Sequence, residues 1–151
     1  MWTSTLAARE TDIDVVGDRS LALAVEKMKV TIETRIRIDG YEMDCSRRYI
    51  LVWGHPTLLN PNNPQDSVIS IFDVAKLQIV GNVAVSKGVF SAEFLKDKPL
   101  AIVASDAEFL IRLPDGEIQP RPDGLDFSGP QFERESCARP PNSRYRRFSD
   151  Q

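Results

Sequence analysis

Five short apolar segments follow one another between Ser67 and Leu113, with only a few residues between each and the next. They are rich in β-branched and aromatic side chains and are bounded by Gly, Pro, Asp or Lys, which is typical of β-strands. A parallel crossover needs a dozen residues or more, so strands joined by such short turns must be antiparallel neighbours. The segments are SVISIFD, KLQIVGNV, GVFSAEFL, PLAIVAS and AEFLIRL. The middle of the chain is therefore predicted to be an antiparallel meander.

Upstream of the meander, residues 30–38 (VTIETRIRI) alternate between apolar and polar side chains, which predicts one half-buried strand. Residues 47–54 (RRYILVWG) predict a strand inside a sheet. The dipeptide Asp39-Gly40 is a strong hairpin signal and predicts a turn after the first of these strands. Residues 20–28 fit a short helix or a strand equally well, and their periodicity leaves both open.

The chain of 151 residues is long enough for one domain with its own core. We predict a mainly β fold, either propeller-blade-like or two packed sheets, with at most one short helix. The predicted organisation is an N-terminal extension (1–18), an antiparallel β domain (19–118) and an irregular C-terminal arm (119–151). The arm is rich in Pro, Gly and Arg. We expect it to pack on the domain through aromatic anchors.

A weak internal repeat relates residues 49–83 to residues 100–122. Each unit reads as an apolar strand, a break, a second strand, a turn and a third strand; the units begin with YILVWGHP and LAIVASDA. Over residues 47–118 this succession of strands and turns resembles the blades of β-propellers of the WD-repeat kind. The Gly-His and Trp-Asp pairs of that family are absent, and the chain is too short for a ring of four or more blades. The resemblance therefore implies four-stranded antiparallel units and not a closed propeller.

The two cysteines, Cys45 and Cys137, lie too far apart for a Cys-x-x-Cys metal or redox motif. We favour two independent thiols. The alternative is a disulfide, formed in an oxidising compartment, that would tie the C-terminal arm to the domain.

Charge and hydropathy exclude several classes of partner. The formal net charge is −3 and the basic residues are interleaved with acidic ones, which argues against nucleic acid. No apolar run approaches the roughly 20 residues that span a bilayer, so we expect no membrane partner. No motif indicates a cofactor or a metal. Because the chain shows no secretory signal, we expect a cytoplasmic protein, or a periplasmic or secreted one if the chain is a mature or trimmed form.

His55 is the only histidine. It follows a predicted strand, where catalytic residues do occur, but no nucleophile motif accompanies it. We favour a turn residue held by Pro56 and predict no catalytic residues. Asp39, Glu42 and Asp44 lie close together without the spacing of a calcium loop, so we interpret Asp39 as part of a turn.

The loop from His55 to Asp66 carries adjacent Leu58 and Leu59 among prolines and asparagines. These leucines either contact a partner or are buried in the domain's own core, and we favour contact with a partner. The predicted function is a non-enzymatic protein-binding module, such as an inhibitor or a toxin-immunity-type protein, with a partner that carries a basic patch. The alternative is a carboxylate-dependent hydrolase or a carbohydrate-binding protein. The predicted partner-binding residues are His55, Leu58, Leu59, Asp39, Glu42, Asp44 and Asp66.

Overall fold

A computed structural model describes residues 12–25, 27–58, 61–120 and 127–137. It is 56% strand, and these residues contain no α-helix, which confirms the mainly β prediction. Within the described ranges, one 3₁₀ turn spans Pro130–Phe132. The strands are β1 (Asp12–Val16), β2 (Ser20–Val25), β3 (Met28–Glu33), β4 (Ile36–Met43), β5 (Tyr49–Pro56), β6 (Ser67–Asp73), β7 (Gln78–Val85), β8 (Ser91–Phe94), β9 (Leu100–Ala104), β10 (Glu108–Arg112) and β11 (Ile118–Gln119).

The strands form three antiparallel sheets, each in up-and-down order. The first sheet is β1-β2-β3, the middle sheet is β4-β5-β6-β7 and the third is β8-β9-β10-β11. The chain leaves each sheet from its last strand and enters the next through that sheet's first strand. The prediction that all five segments between Ser67 and Leu113 are antiparallel neighbours is therefore wrong between β7 and β8, which lie in different sheets despite their short connection. β4 lies against β8, so the first strands of the middle and third sheets are neighbours. The two predicted repeat units coincide with β5–β7 and β9–β11, which occupy equivalent positions in their sheets.

The inner strands of the middle sheet, β5 and β6, are buried on both faces. Because side chains along a strand alternate between faces, β5 directs Leu51 and Trp53 towards the third sheet and Ile50 and Val52 towards the first. A strand buried on both sides reads as a continuous apolar run, which explains the sequence YILVW. Two hydrophobic cores therefore lie on either side of this sheet.

The first sheet ends the stack on one side. Leu21 and Leu23 face the middle sheet and are 1% exposed, whereas Asp14, Thr31 and Glu33 on its other face are exposed. Leu21 and Leu23 lie in β2, so the helix alternative for residues 20–28 is wrong. The alternation of buried and half-buried positions, which a helix cannot supply, decides the conformation here.

The single strand predicted over residues 30–38 is also wrong, because the chain breaks at Thr34 and Arg35 and passes from β3 to β4 in another sheet. Thr34 is buried at the break. Its hydroxyl donates to the carbonyl of Arg19 at 2.7 Å, and its N–H donates to the same carbonyl at 2.8 Å. These hydrogen bonds tie the crossover to the turn between β1 and β2.

The predicted hairpin turn at Asp39-Gly40 is wrong as well, since both residues lie inside β4 at a β-bulge. A Cβ on Gly40 would lie 2.6 Å from Cζ2 of Trp53, so the glycine allows the indole ring to lie against the backbone. The turn that follows β4 is at residues 44–48. There the Asp44 carboxylate accepts the N–H groups of Arg48 at 2.8 Å and Tyr49 at 3.0 Å.

Residues 127–137, which we call the strap, cover the outer face of the third sheet. Phe127 and Phe132 are buried against Leu95, Ile102 and Leu110, and the two rings meet edge to face with centroids 4.9 Å apart. Leu95 forms an isolated β-bridge with Arg134. The stack is thus closed by polar side chains on one side and by the strap on the other.

The strap is held covalently by a disulfide between Cys45 and Cys137. The prediction of two independent thiols is therefore wrong. Glu135 adds a hydrogen bond, because its carboxylate accepts the N–H of Cys45 at 2.9 Å. The spacing of 92 residues hid this pair from local sequence reasoning.

The described residues include no helical span of the length and hydropathy that a bilayer requires.

Candidate functional site at the loop end

One end of the sheet stack gathers the connections that carry most of the predicted binding residues. Successive turns of an up-and-down sheet alternate between its two ends. Residues 17–19, 34–35, 57–66, 86–90 and 105–107 therefore share one end, which we call the loop end. Hydrogen bonds join these segments: Thr57 N–H donates to the Arg35 carbonyl at 3.1 Å, and the Ser105 hydroxyl to the Gly88 carbonyl at 2.6 Å.

His55 lies near the end of β5 and not in a turn, so its interpretation as a turn residue is wrong. Its Nδ1 is 3.1 Å from the main-chain oxygen of Asp66, and its Nε2 is 3.5 Å from Oδ2 of Asp39. The imidazole thus bridges β4, β5 and the residue that precedes β6. Asp39, His55 and Asp66, which are distant in sequence, meet at the loop end as a result.

This histidine has no nucleophile within hydrogen-bonding distance among the described residues. The β5–β6 register, in which Gly54 pairs with Val68, places Ser67 across from His55. Ser67 is 2% exposed, however, and its hydroxyl makes no hydrogen bond to any described residue. Both ring nitrogens of His55 already face oxygen atoms of other residues. The geometry suits a histidine that fixes the start of β6 relative to β4.

Two clefts open on either side of Pro56. The larger, of about 340 Å³, lies between the 57–66 loop and the adjoining ends of β6 and β7. The smaller, of about 220 Å³, is lined by Arg37, His55, Pro56, Thr57 and Pro64. The larger cleft is lined by Pro56, Leu58, Asn63, Asp66, Ser67, Val68, Ala84, Val85 and Ser86. Its volume lies at the lower limit of small-molecule pockets, a size that also suits one large side chain.

Large apolar side chains are exposed at the loop end. Leu58 is 89% exposed at the rim of the larger cleft, and Phe90, in the connection from β7 to β8, is 68% exposed. Val16, at the end of β1, is 50% exposed. Leu58 therefore does not plug the domain's own core. Leu59 lies outside the described residues.

The charges of the loop end are largely paired. Asp18 lies 3.7 Å from Arg19 and 3.8 Å from Arg37, and Lys87 lies 2.9 Å from Asp106. The carboxylate of Asp66 differs, because no described cation lies within ion-pair distance of it. Asp66 is thus an acidic group at the wall of a mainly apolar cleft.

The structure does not bring all the predicted residues together. Asp44 follows β4 at the opposite end of the stack, where it is 9% exposed and accepts hydrogen bonds within its own turn, including one of 2.6 Å from the Ser46 hydroxyl. Glu42 lies on β4 nearer to Asp44 than to the loop end. Among the described residues, no group of three or more His, Cys, Asp or Glu is arranged to hold a metal ion.

Sequence reasoning missed the contribution of β7 and Phe90 to this end. Ala84 and Val85 line the larger cleft, although they are far from the leucines in sequence. A signal was available, since the eight residues of β7 (QIVGNVAV) contain no charge and no proline. Comparison of the sequence with models of protein families and with characterised proteins finds no match.

Proposed function

We propose that this protein is a non-enzymatic binding module that holds a partner polypeptide through the loop end. The observation that carries the proposal is Leu58, which stays 89% exposed beside a mainly apolar cleft. Burying a leucine side chain is worth roughly 1.5–3 kcal/mol, so an exposed one at a cleft rim favours association. Phe90 adds a second exposed anchor at the same end.

The charged residues around Leu58 and the larger cleft suit a protein partner. Interfaces combine apolar centres with polar rims, and Asp18, Arg19, Arg37, Lys87 and Asp106 supply such a rim. Asp66 provides a place for a basic group of the partner. An inhibitor that caps its target through this end is one form that such a module takes. The hydrolase alternative lacks a supporting observation, since Asp39 faces His55 and Asp44 is engaged in its turn.

The disulfide favours an oxidising compartment for this activity. Disulfides persist outside the cytosol and are rare inside it, where thiol systems keep cysteines reduced. We therefore place the protein in the periplasm or outside the cell in this proposal, which replaces the cytoplasmic expectation.

Affinity capture with matched variants tests the function. Wild-type protein, Leu58→Ser and the control Ile118→Ser are immobilised and exposed to an extract of the source organism. Ile118 is also exposed, at 53%, but lies at the opposite end of the stack. We expect a captured protein that Leu58→Ser loses and Ile118→Ser retains, and that binds again when purified.

Both variants should melt within about 2 °C of the wild type, because exposed substitutions usually change stability by less than about 0.5 kcal/mol. A partner retained equally by all three proteins would contradict the proposal. A large drop in the melting temperature of Leu58→Ser would show that Leu58 belongs to the core.

A further inference from the structure

The outer edge of the middle sheet is open. β7 pairs with β6, and no described strand pairs with its other edge. Alternate N–H and C=O groups of such an edge point away from the sheet and accept an added strand. Natural proteins normally protect long edges with charged residues, prolines, bulges or covering segments.

The other edge strands of more than two residues carry charged side chains, and β7 does not. Charged residues lie on β1 (Asp14), β3 (Lys29, Glu33), β4 (Arg37, Asp39, Glu42) and β8 (Glu93), while β11 is only two residues long. β7 has eight residues with neither a charged side chain nor a proline, and its one protective feature is a bulge. Among the described edges longer than two residues, β7 is therefore the one without a charged side chain.

A bulge limits which part of β7 is suited to strand addition. The register shifts opposite Ile71 and Phe72, so the Gln78 half of the strand is irregular. From Gly81 to Val85 the pairing with β6 is regular. The regular half is the one that reaches the loop end.

The regular half of β7 also borders the larger cleft. Ala84 pairs with Val68, and both side chains line that cleft on the same face of the sheet. In an added strand, the residue beside Ala84 would place its side chain on the same face within about 5 Å. A large apolar side chain there would cover Ala84 and extend into the cleft from its β7 side, towards Val68.

Charge complementarity identifies a second residue of such a strand. Asp66 lines the cleft, without a described cation within ion-pair distance of its carboxylate. A lysine or arginine two residues from the apolar side chain, and therefore on the same face of the added strand, would supply that cation. Charge-assisted hydrogen bonds of this kind are roughly twice as strong as neutral ones.

From these observations, and resting on the proposed function, we propose that the partner binds by strand addition. An extended segment of the partner pairs with Gly81–Val85 of β7, inserts one large apolar side chain into the cleft beside Leu58, and places a basic side chain against Asp66. Main-chain hydrogen bonds supply affinity in this mode, and the cleft and Asp66 supply specificity.

A displayed library of random peptides tests the proposal without a known partner. The peptides have about twelve residues, enough to run along the whole of β7. The library is selected against the full, disulfide-bonded chain. We expect enriched sequences that combine β-forming residues with an apolar and a basic residue two positions apart. Bound peptide should slow amide hydrogen exchange in β7 by roughly tenfold or more while leaving β3 unchanged.

Variants at the open edge and at the cleft provide the matched comparison. Ala84→Lys places a charge on the open edge, and Asp66→Asn removes the carboxylate. Thr31→Lys is the control, since it adds the same charge to the outer strand of the first sheet, where Thr31 is also exposed. We expect Ala84→Lys and Asp66→Asn each to weaken a selected peptide by roughly tenfold. Thr31→Lys should leave the affinity unchanged.

Three results would overturn the proposal: no peptide binding at about 0.1 mM, protection of amides elsewhere than β7, or a wild-type dimer that Ala84→Lys dissociates. The last result would place a second copy of the chain on β7. Failure of strand addition is separable from failure of the proposed function. A natural partner that is lost with Leu58→Ser but retained by Ala84→Lys would preserve the binding function and refute strand addition.

Discussion

Arg48 and Asp73 form a bidentate ion pair at the end of the middle sheet opposite the loop end. The guanidinium donates from Nε to Oδ1 at 2.9 Å and from Nη2 to Oδ2 at 3.1 Å. Asp73 is 1% exposed and also accepts the N–H groups of Ala75 at 3.0 Å and Lys76 at 3.2 Å. One buried carboxylate thus organises the β6–β7 turn and anchors the start of β5.

Replacing Asp73 by Asn is expected to lower the free energy of unfolding by roughly 2–4 kcal/mol, because it removes the charge that Arg48 and the turn amides bind. Urea denaturation of Asp73→Asn against wild type measures this loss. The exposed substitution Asp97→Asn is the control and should leave the transition unchanged. A midpoint for Asp73→Asn equal to that of the wild type would show that the ion pair contributes no net stability.

The same carboxylate predicts an acid-dependent loss of stability. The hydrogen bonds from Arg48 hold the pKa of Asp73 below its ordinary value of 3.8, despite burial. A depressed pKa means that the unfolded chain binds the proton more tightly, so this contribution is complete above about pH 4 and decreases as the pH falls further. Melting temperatures measured from pH 6 to pH 2 should fall more steeply for wild type than for Asp73→Asn. Parallel curves would contradict this assignment.

Gly40 is expected to tolerate no side chain. Its missing Cβ would lie 2.6 Å from the indole of Trp53, so Gly40→Ala must displace the ring or the bulge of β4. Overpacking of this kind costs roughly 1–3 kcal/mol. Gly88→Ala is the matched control, because a Cβ at Gly88 meets no atom within 4 Å. The prediction is wrong if the two variants unfold at the same denaturant concentration.

The raised pKa of Tyr41 predicts a loss of stability at high pH. Its hydroxyl donates to the carbonyl of Ile13 at 3.3 Å, and burial, with the nearby charges of Asp14 and Glu42, raises its pKa from 10.0 to about 12. The unfolded chain therefore loses this proton more readily, and stability should decrease as the pH rises from about 10 through 12. Tyr41→Phe should reduce that slope. Ultraviolet titration of the folded protein should show a late-ionising tyrosine that Tyr41→Phe lacks.

The strap should resist proteolysis while the disulfide is intact. Arg134 donates to the carbonyl of Phe132 at 3.1 Å and lies 3.7 Å from Glu93 and 3.8 Å from Glu108. The Cys45–Cys137 bond closes a loop worth up to about 4.5 kcal/mol in the chain-entropy model. We expect slow trypsin cleavage at Arg134 in the oxidised protein and faster cleavage in Cys137→Ser. Rapid cleavage of the oxidised protein would show that the strap is not held on the third sheet.

Association with a basic partner should depend on salt. The Debye length shrinks from about 10 Å at 0.1 M salt to about 3 Å at 1 M, which weakens steering by Asp66. Once a partner is purified, its association rate should fall across this range for wild type and fall less for Asp66→Asn. A rate that stays flat would leave Leu58 and Phe90 to explain recognition without charge.

The sequence by itself determined the strands between Ser67 and Leu113 and the antiparallel pairing inside each sheet, but not the change of sheet between β7 and β8. Apolar segments with turn residues between them restrict each of these segments to an extended conformation, and short connections inside a sheet make its strands antiparallel. For this reason β6 was predicted with its observed bounds, Ser67–Asp73. Local patterns failed where distant residues decide the outcome.

Only the tertiary structure decided which of these elements meet. Asp39-Gly40 became part of a strand because Trp53 lies against Gly40, and Cys45 found Cys137 because the strap crosses the third sheet. His55, Asp39 and Asp66 converge because three strands of one sheet place them at the same end. Such contacts depend on the stacking of sheets and on the closure of long loops. The free energy of these steps involves residues that are far apart in sequence, so no local segment predicts it.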